Sequence, residues 1–365
     1  MQGAAPDIVS DALDSGDPLP GTGGFAGELD GTLVRDVLGR YPLFAERDAA
    51  DSDDRLAPSE WSHDPTDLTA PESFPAGHIR DEEGTRQRWS LPTPDPFADR
   101  ETAIDQVREA VETSVDTVGT ENLAIAFSGG VDSALLAARL DAPLYVAGFP
   151  ESHDIEAARS AADLLGTDVH VVELTHDAIE RAVPEIARAT GRTNAMAVQI
   201  ALPLYLAAER VSADGFDRLA LGQGADELFG GYAKVAKAPE DPRVEADTVR
   251  GAQREVVATL PDQLERDVLA LRAAGVEPVT PLLHDRVVDA ALRLDGDLLV
   301  EGETRKVALR EATRHSLPDA IASRDKKAAQ YGSLAARELD RLARQAGYKR
   351  RMDNHVTRYV ESLVD

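Results

Sequence analysis

Two stretches of the chain combine residue types that can do phosphate chemistry. The first is Ser128-Gly129-Gly130-Val131-Asp132-Ser133, set between the apolar run at 123–127 and a helical pattern at 134–140. Gly129 and Gly130 can adopt positive φ, letting backbone N–H groups converge. The helix that starts there adds its positive end, so the loop can cradle a pyrophosphate anion. Ser128 and Ser133 can donate hydroxyl hydrogen bonds to phosphate oxygens. Asp132 cannot face phosphate without a cation between them, which points to Mg²⁺. The loop lacks the Gly-Lys-Ser/Thr ending of a Walker A motif. A strand-to-helix turn with two glycines needs no ligand; the complete hexapeptide favours one.

The second stretch is Gly222-Gln223-Gly224-Ala225-Asp226-Glu227-Leu228-Phe229-Gly230-Gly231-Tyr232. Asp226 offers a second carboxylate for Mg²⁺, and Glu227 a third, although an Asp-Glu pair after a glycine turn also serves simply to start a helix. Lysine is scarce. Only Lys234, Lys237, Lys306, Lys326, Lys327 and Lys349 occur. That scarcity draws attention to Lys306 and Lys326 as cations retained for a purpose.

The elements around these stretches alternate. Helical spacing at 104–117 precedes the strand at 123–127, with further strands at 144–149, 169–174 and 218–221. Helices are expected at 155–165, 177–190 and 197–211. Alternation of this kind predicts an α/β fold with a doubly wound parallel sheet. Ligands bind such sheets at the carboxyl ends of strands, so the two motifs are expected to face one another across a nucleotide. After residue 245 the pattern is helical almost to the end. Residues 1–24, rich in Gly, Pro, Asp and Ala, read as a flexible tail. Residues 25–98 read as a small β-rich region, 101–345 as the main domain, and 346–365 as a C-terminal helix or tail.

Composition narrows the function classes. The net charge is −27, with 66 acidic residues against 39 basic ones. The acids are dispersed and Lys is depleted, as in halophilic proteins. At molar salt the Debye length falls to ~3 Å, which screens the self-repulsion. Such a charge argues against a nucleic-acid binder. The absence of Cys rules out thiolate metal sites and cysteine nucleophiles in this chain. No apolar run approaches the ~18 residues of a membrane span. The first twenty residues lack a basic start and an apolar core. A cytoplasmic location is therefore expected.

The hexapeptide resembles the SGGxDS loop of the ATP-pyrophosphatases, which cleave ATP between the α and β phosphates. With the second motif, G-x-G-[AS]-D-E-[LV]-F-G-G-Y, it resembles the asparagine synthetase B family and the related β-lactam synthetase. Further matches run in the family's order: Ala147-Gly148-Phe149-Pro150 with Asp154, Ala157 and Ala158; Gly275-Val276-Glu277; Pro281-Leu282-Leu283; Lys306 with Leu309 and Arg310; and Arg324-Asp325-Lys326. The likeness covers about residues 101–332. Residues 27–44 resemble part of the family's glutaminase domain, as do Ser59-Glu60-Trp61 and Phe74-Pro75-Ala76-Gly77-His78. The catalytic half of that domain has no counterpart here, and its cysteine nucleophile is absent.

The resemblance implies the adenine nucleotide α-hydrolase-like PP-loop fold, with a helical C-terminal part and a small β-rich N-terminal remnant. It implies ATP and Mg²⁺ as cofactors and an amide-forming, adenylating ligase. Ser128, Gly129, Gly130, Asp132, Ser133, Ala147, Gly148 and Gly222 would hold the nucleotide, and Asp132, Asp226 and Glu227 the metal. Lys326 matches the family's essential lysine, with Lys306 as a second cation. The substrates would be a small carboxylic acid, aspartate by default, and ammonia. The ammonia would be free or supplied by a separate amidotransferase; neither nucleic acid nor membrane is an expected partner, and a homo-oligomer is compatible.

Two departures stand out. Gln223 replaces the acidic residue of the usual G-E-G, and an amide cannot take a proton from ammonium. The family's R-x-P-F-L-D reads Val279-Thr280-Pro281-Leu282-Leu283-His284. These changes keep open a ligase or cyclase for another acid. A non-catalytic nucleotide-binding partner is a third reading; the joint presence of Ser128, Asp132, Asp226 and Lys326 speaks against it.

Overall fold

A computed structural model describes residues 1–47, 60–150, 152–237, 246–324 and 330–364. The chain forms two compact units, each assembled from stretches separated in sequence. One comprises residues 1–118, 222–265 and 280–315, the other 119–221, 266–279 and 316–365. The main domain expected at 101–345 is thus divided between them.

The second unit is built on a five-stranded parallel sheet. Its order is Val169–Glu173, Leu144–Gly148, Leu123–Ala126, Arg218–Ala220 and Glu277–Val279. Leu144 pairs with Ile125 on one side of the first strand, and Ala220 with Ile125 on the other. Successive side chains of a strand point to opposite faces. Ala124, Tyr145 and Leu219 join the cluster formed by helices His176–Thr190 and Ala195–Ala213. Leu123, Ile125, Leu144 and Val146 point the other way and are also buried. Both faces of the inner strands Leu123–Ala126 and Leu144–Gly148 are covered, so these are apolar, while the edge strand Val169–Glu173 exposes His170 and Glu173. The fold is the expected α/β one.

Local chemistry sets the helix ends in this unit. Ser152, Thr175 and Asn194 accept hydrogen bonds from the backbone N–H groups of Ile155, Ala178 and Ala197. Gly166 and Gly191 end two helices in the left-handed conformation. The C-terminal helices Gln330–Gln345 and His355–Glu361 pack on the same cluster through Leu339, Leu342, Tyr359 and Val360.

The fifth strand departs from the helical expectation after residue 245, as does a short hairpin pairing Val300–Glu301 with Thr304–Arg305. Glu277–Val279 has only three residues, too few to show a period, and carries Pro278. Proline is tolerated because the strand lies at the sheet edge.

The first unit opens with two antiparallel sheets. The larger has the order Gln2–Gly3, Phe25–Leu29, Thr32–Arg35, His78–Asp81, Gly84–Gln87; the smaller joins Trp61–Ser62, Phe44–Glu46 and Pro71–Ser73. The flexible tail expected over 1–24 is instead ordered. Gln2 and Gly3 pair with Ala26 and Phe25. Helix Pro6–Ser15 buries Val9 and Ala12 against Phe25, Val34, Ile79 and Trp89. Its Pro6 start and left-handed Gly16 end are helix punctuation, which composition alone presents as looseness. Ser59, one of the N-terminal matches, lies outside the described residues.

Buried charge ties this region to later segments of the same unit. Arg35 lies 3.3 Å from Glu265, and Arg40 lies 2.9 Å from Asp36 and 2.7 Å from Asp285. Burial lowers the Arg35 pKa despite Glu265. At Arg40 burial also opposes the charge, but Asp36 and Asp285 outweigh it and raise the pKa. Helix Arg100–Asp116 completes the unit by packing on Asp285–Leu292 and Val307–Thr313.

Candidate functional site

The loop from Ser128 to Ser133 leaves the carboxyl end of the first sheet strand and enters helix Val131–Arg139. It sits where the sheet order reverses, beside the strand Arg218–Ala220, the place where doubly wound sheets take ligands. Gly129 has φ 73, and a Cβ there would lie 2.6 Å from the Ala157 carbonyl oxygen. Only glycine meets both conditions. The buried Ser133 hydroxyl accepts from Ser128 N–H at 3.2 Å and lies 3.3 Å from the exposed Ser128 hydroxyl. Asp132 is half-buried in the first helical turn, where a carboxylate is favoured by the helix dipole. The loop is therefore held in shape by its own serines, with its glycine amides at a helix N-terminus.

Ala147 and Gly148 end the second strand. Gly148 is buried, and a Cβ there would lie 2.8 Å from Ile155 Cγ1 and 3.0 Å from Ser152 Oγ. Its lack of a side chain lets helix His153–Leu165 approach the strand. Arg324 donates to the Ala157 carbonyl and to Ser160 Oγ, each at 3.1 Å, on that same helix.

The second motif belongs to the first unit. Gly222 and Gln223 are half-buried, and Gly224, with φ 92, starts the short helix Ala225–Leu228. Asp226 Oδ1 lies 2.8 Å from Lys306 Nζ, and the Lys306 side chain is only 3% exposed. Lys306 takes the left-handed conformation, φ 59, at the start of helix Val307–Thr313, a conformation costly for a residue with a Cβ. Gly231 closes around the pair: a Cβ there would fall 1.9 Å from Asp226 Oδ1 and 2.5 Å from Lys306 Cε. Arg305 donates to the Gly231 carbonyl at 2.6 Å, and Arg310 to the Arg305 carbonyl at 2.8 Å.

Glu227 is buried beside this pair and accepts a 2.5 Å hydrogen bond from the Tyr232 hydroxyl. Burial raises its pKa and Asp226 pushes the same way; Tyr232 and Lys306 pull it down without prevailing. Among the described residues no group of three or more His, Asp or Glu forms a metal cluster.

The asparagine synthase family model matches residues 106–254 and 237–362, more than half of the chain. This chain belongs to the asparagine synthase family. A putative glutamine-hydrolysing asparagine synthetase 1 of Methanocaldococcus jannaschii is 30% identical over 272 residues, 65% of this chain and 50% of that protein. Asparagine synthetase B, glutamine-hydrolysing, of Escherichia coli K12 is 27% identical over 256 residues, 64% of this chain and 46% of that one. The chain spans about half the length of the curated relatives it matches. The solved NH3-dependent NAD synthetase of Campylobacter jejuni aligns over 73% of this chain at 13% identity with a TM-score of 0.29. So low a score carries no weight; the fold rests on the strand order above.

Within this member of the asparagine synthase family, Lys326 and its neighbours Asp325 and Lys327 lie outside the described residues. Gly231, Tyr232 and the Arg305–Arg310 strap were given no role from sequence. The signal for Gly231 was present in the paired glycines of the motif, but its reason lies in Lys306, far along the chain.

Proposed function

We propose that this chain is an ATP-dependent amide-forming ligase that adenylates a carboxylate, aspartate in the first instance, releases pyrophosphate, and lets ammonia displace AMP. The observation that carries this reading is the joint presence of an ordered Ser128–Ser133 loop and a built Asp226–Lys306 pair in a chain of the asparagine synthase family. Adenylation needs the leaving pyrophosphate neutralised and the reactants held in line. The loop amides and the Ser128 and Ser133 hydroxyls suit the phosphates; Ala147 and Gly148 suit the edge of the adenine.

Asp132 and Asp226 are the carboxylates proposed for Mg²⁺. Asp226 suits a cation, since it already holds the Lys306 ammonium at 2.8 Å. Magnesium takes few protein ligands and fills its shell with phosphate and water, so a three-residue cluster is not required. When bound, it would offset charge on the phosphate oxygens. Glu227, committed to Tyr232, is proposed as the buried support of Asp226 rather than as a main metal ligand. Lys326 is proposed as the cation on the α-phosphate or pyrophosphate.

The chain has no cysteine, so glutamine is not the proposed nitrogen source for this chain acting alone. Free ammonia or ammonia from a separate amidotransferase is. One observation favours a second reading, a ligase or cyclase for another acid: Gln223 stands where the family carries an acid, in a loop backed by the altered 279–284 stretch.

The test supplies ATP, Mg²⁺ and a panel of carboxylic acids in molar KCl and follows pyrophosphate with and without ammonia. AMP and pyrophosphate with aspartate are expected. ADP and phosphate as products would end the adenylation reading; pyrophosphate with another acid but not with aspartate would move it to the second.

A further inference from the structure

The N-terminal β region has no part in the chemistry proposed above, yet its buried charges reach the backbone that supports the Asp226 loop. We propose that Arg40 is a positioning residue for the 222–231 loop, acting through Leu283. The N-terminal region then serves the ligase reaction itself. The catalytic side of this inference rests on the function proposed above; the structural side stands alone.

The path is short. Arg40 donates to the Leu283 carbonyl at 2.8 Å and to Asp285 Oδ1 at 2.7 Å. Asp285 is gripped from its other oxygen by the Thr22 N–H at 2.7 Å and the Thr22 hydroxyl at 3.2 Å. Arg40 is itself aimed by Asp36, whose Oδ1 accepts from Nε at 2.9 Å. Arg40, Asp36 and Asp285 are all buried. The backbone at 283–285 is thereby clamped by residues 22–40.

Leu283 carries the restraint onward. Its side chain occupies the place where a Cβ at Gly224 would stand, 2.4 Å from Cδ2. Gly224 is the left-handed residue that starts the helix bearing Asp226 and Glu227. A displaced Leu283 opens a gap on that turn and frees it to move. Arginine suits the task because one planar guanidinium reaches a carbonyl and two carboxylates together, a reach lysine lacks. Arg35 supplies the contrast. It is as deeply buried in the same region but bonds to Glu265, Ser73 and the carbonyls of Tyr41, Gly39 and Phe74, none of them in the 279–285 stretch.

The decisive measurement is amide hydrogen exchange of residues 222–232 in the full chain, comparing Arg40→Met, Leu283→Ala and the control Arg86→Met, whose side chain pairs with Asp81 at the surface of the same region. Exchange in 222–232 is expected to rise roughly tenfold or more in the first two and to stay unchanged in the control. Pyrophosphate release should show kcat falling by roughly tenfold or more in the same two variants, with KM for ATP kept. If Arg40→Met fails to fold, Leu283→Ala decides. Unchanged exchange in a folded Arg40→Met or in Leu283→Ala, or an equal rise in Arg86→Met, overturns the proposal. A wild-type chain that releases no pyrophosphate with any acid removes the function proposed above, while the exchange comparison still decides the role of Arg40.

Discussion

Lys306 and Asp226 meet 2.8 Å apart, with the lysine side chain 3% exposed and the aspartate side chain 20% exposed. A pair this buried contributes little if both partners are replaced together, yet losing one strands the other. A double-mutant cycle on Lys306→Met and Asp226→Asn should therefore show strong coupling. Each single change is expected to destabilise by about 2 kcal/mol or more, and the double change by less than their sum. Denaturant unfolding in molar KCl reads both. Simple additivity would mean that the two side chains act independently.

Gly231 sets the space for that pair. Gly231→Ala places a methyl 1.9 Å from Asp226 Oδ1, so either the pair opens or the backbone shifts. We expect a loss of roughly 2–3 kcal/mol and loss of most ATP turnover. Gly23→Ala is the matched control, because a Cβ there meets nothing within 4 Å; it should be near neutral. Thermal unfolding of the two variants side by side makes the comparison, and equal behaviour would remove Gly231 from the account.

Glu227 should leave a mark on the pH dependence of stability. Its folded pKa is raised above that of a free glutamate side chain, chiefly by burial. The folded state therefore holds the proton more tightly than the unfolded state. The favourable contribution is present below the unfolded pKa and is lost as pH rises through the folded one. Glu227→Gln cannot ionise, so the stability difference between variant and wild type should shift in the variant's favour across that window. Tyr232→Phe removes a bond to the charged form and should widen the window upward. Parallel stability curves for wild type and Glu227→Gln would contradict this account.

Gln223 separates the two functional readings. A chain that makes asparagine without a carboxylate at this position depends on free ammonia, so its rate should climb as pH rises toward the ammonium pKa. Gln223→Glu should then raise the neutral-pH rate by roughly 10- to 100-fold, the range of general-base assistance. If the substrate is another acid, Gln223→Glu should lower the rate instead. Aspartate-dependent pyrophosphate release measured against pH in both forms distinguishes the two.

What the sequence determined by itself was the part of the molecule encoded at short range. The strand–loop–helix around Ser128–Ser133 and the alternation of strands and helices follow from apolar period and from glycines placed beside serine and aspartate, whereas the family was legible only through the resemblance of the two motifs to known sequences. These features need only neighbours a few residues away, so composition and spacing reveal them. The N-terminal helix Pro6–Ser15 does carry helical spacing at Ile8, Val9, Ala12 and Leu13, but its Pro and Gly punctuation reads as looseness; the three-residue edge strand Glu277–Val279 carries no pattern of its own. Each is stabilised by a distant partner: a core that includes Trp89, and pairing with Arg218–Ala220. The same holds for the Asp226 constellation. Tertiary structure alone placed Lys306 against Asp226, made Gly231 obligatory, and carried Arg40 across 243 residues to the Leu283 carbonyl. Burial of charge is what decides such pairs. A buried ion must find its counter-ion wherever the chain has folded, and separation along the chain does not constrain which one it meets.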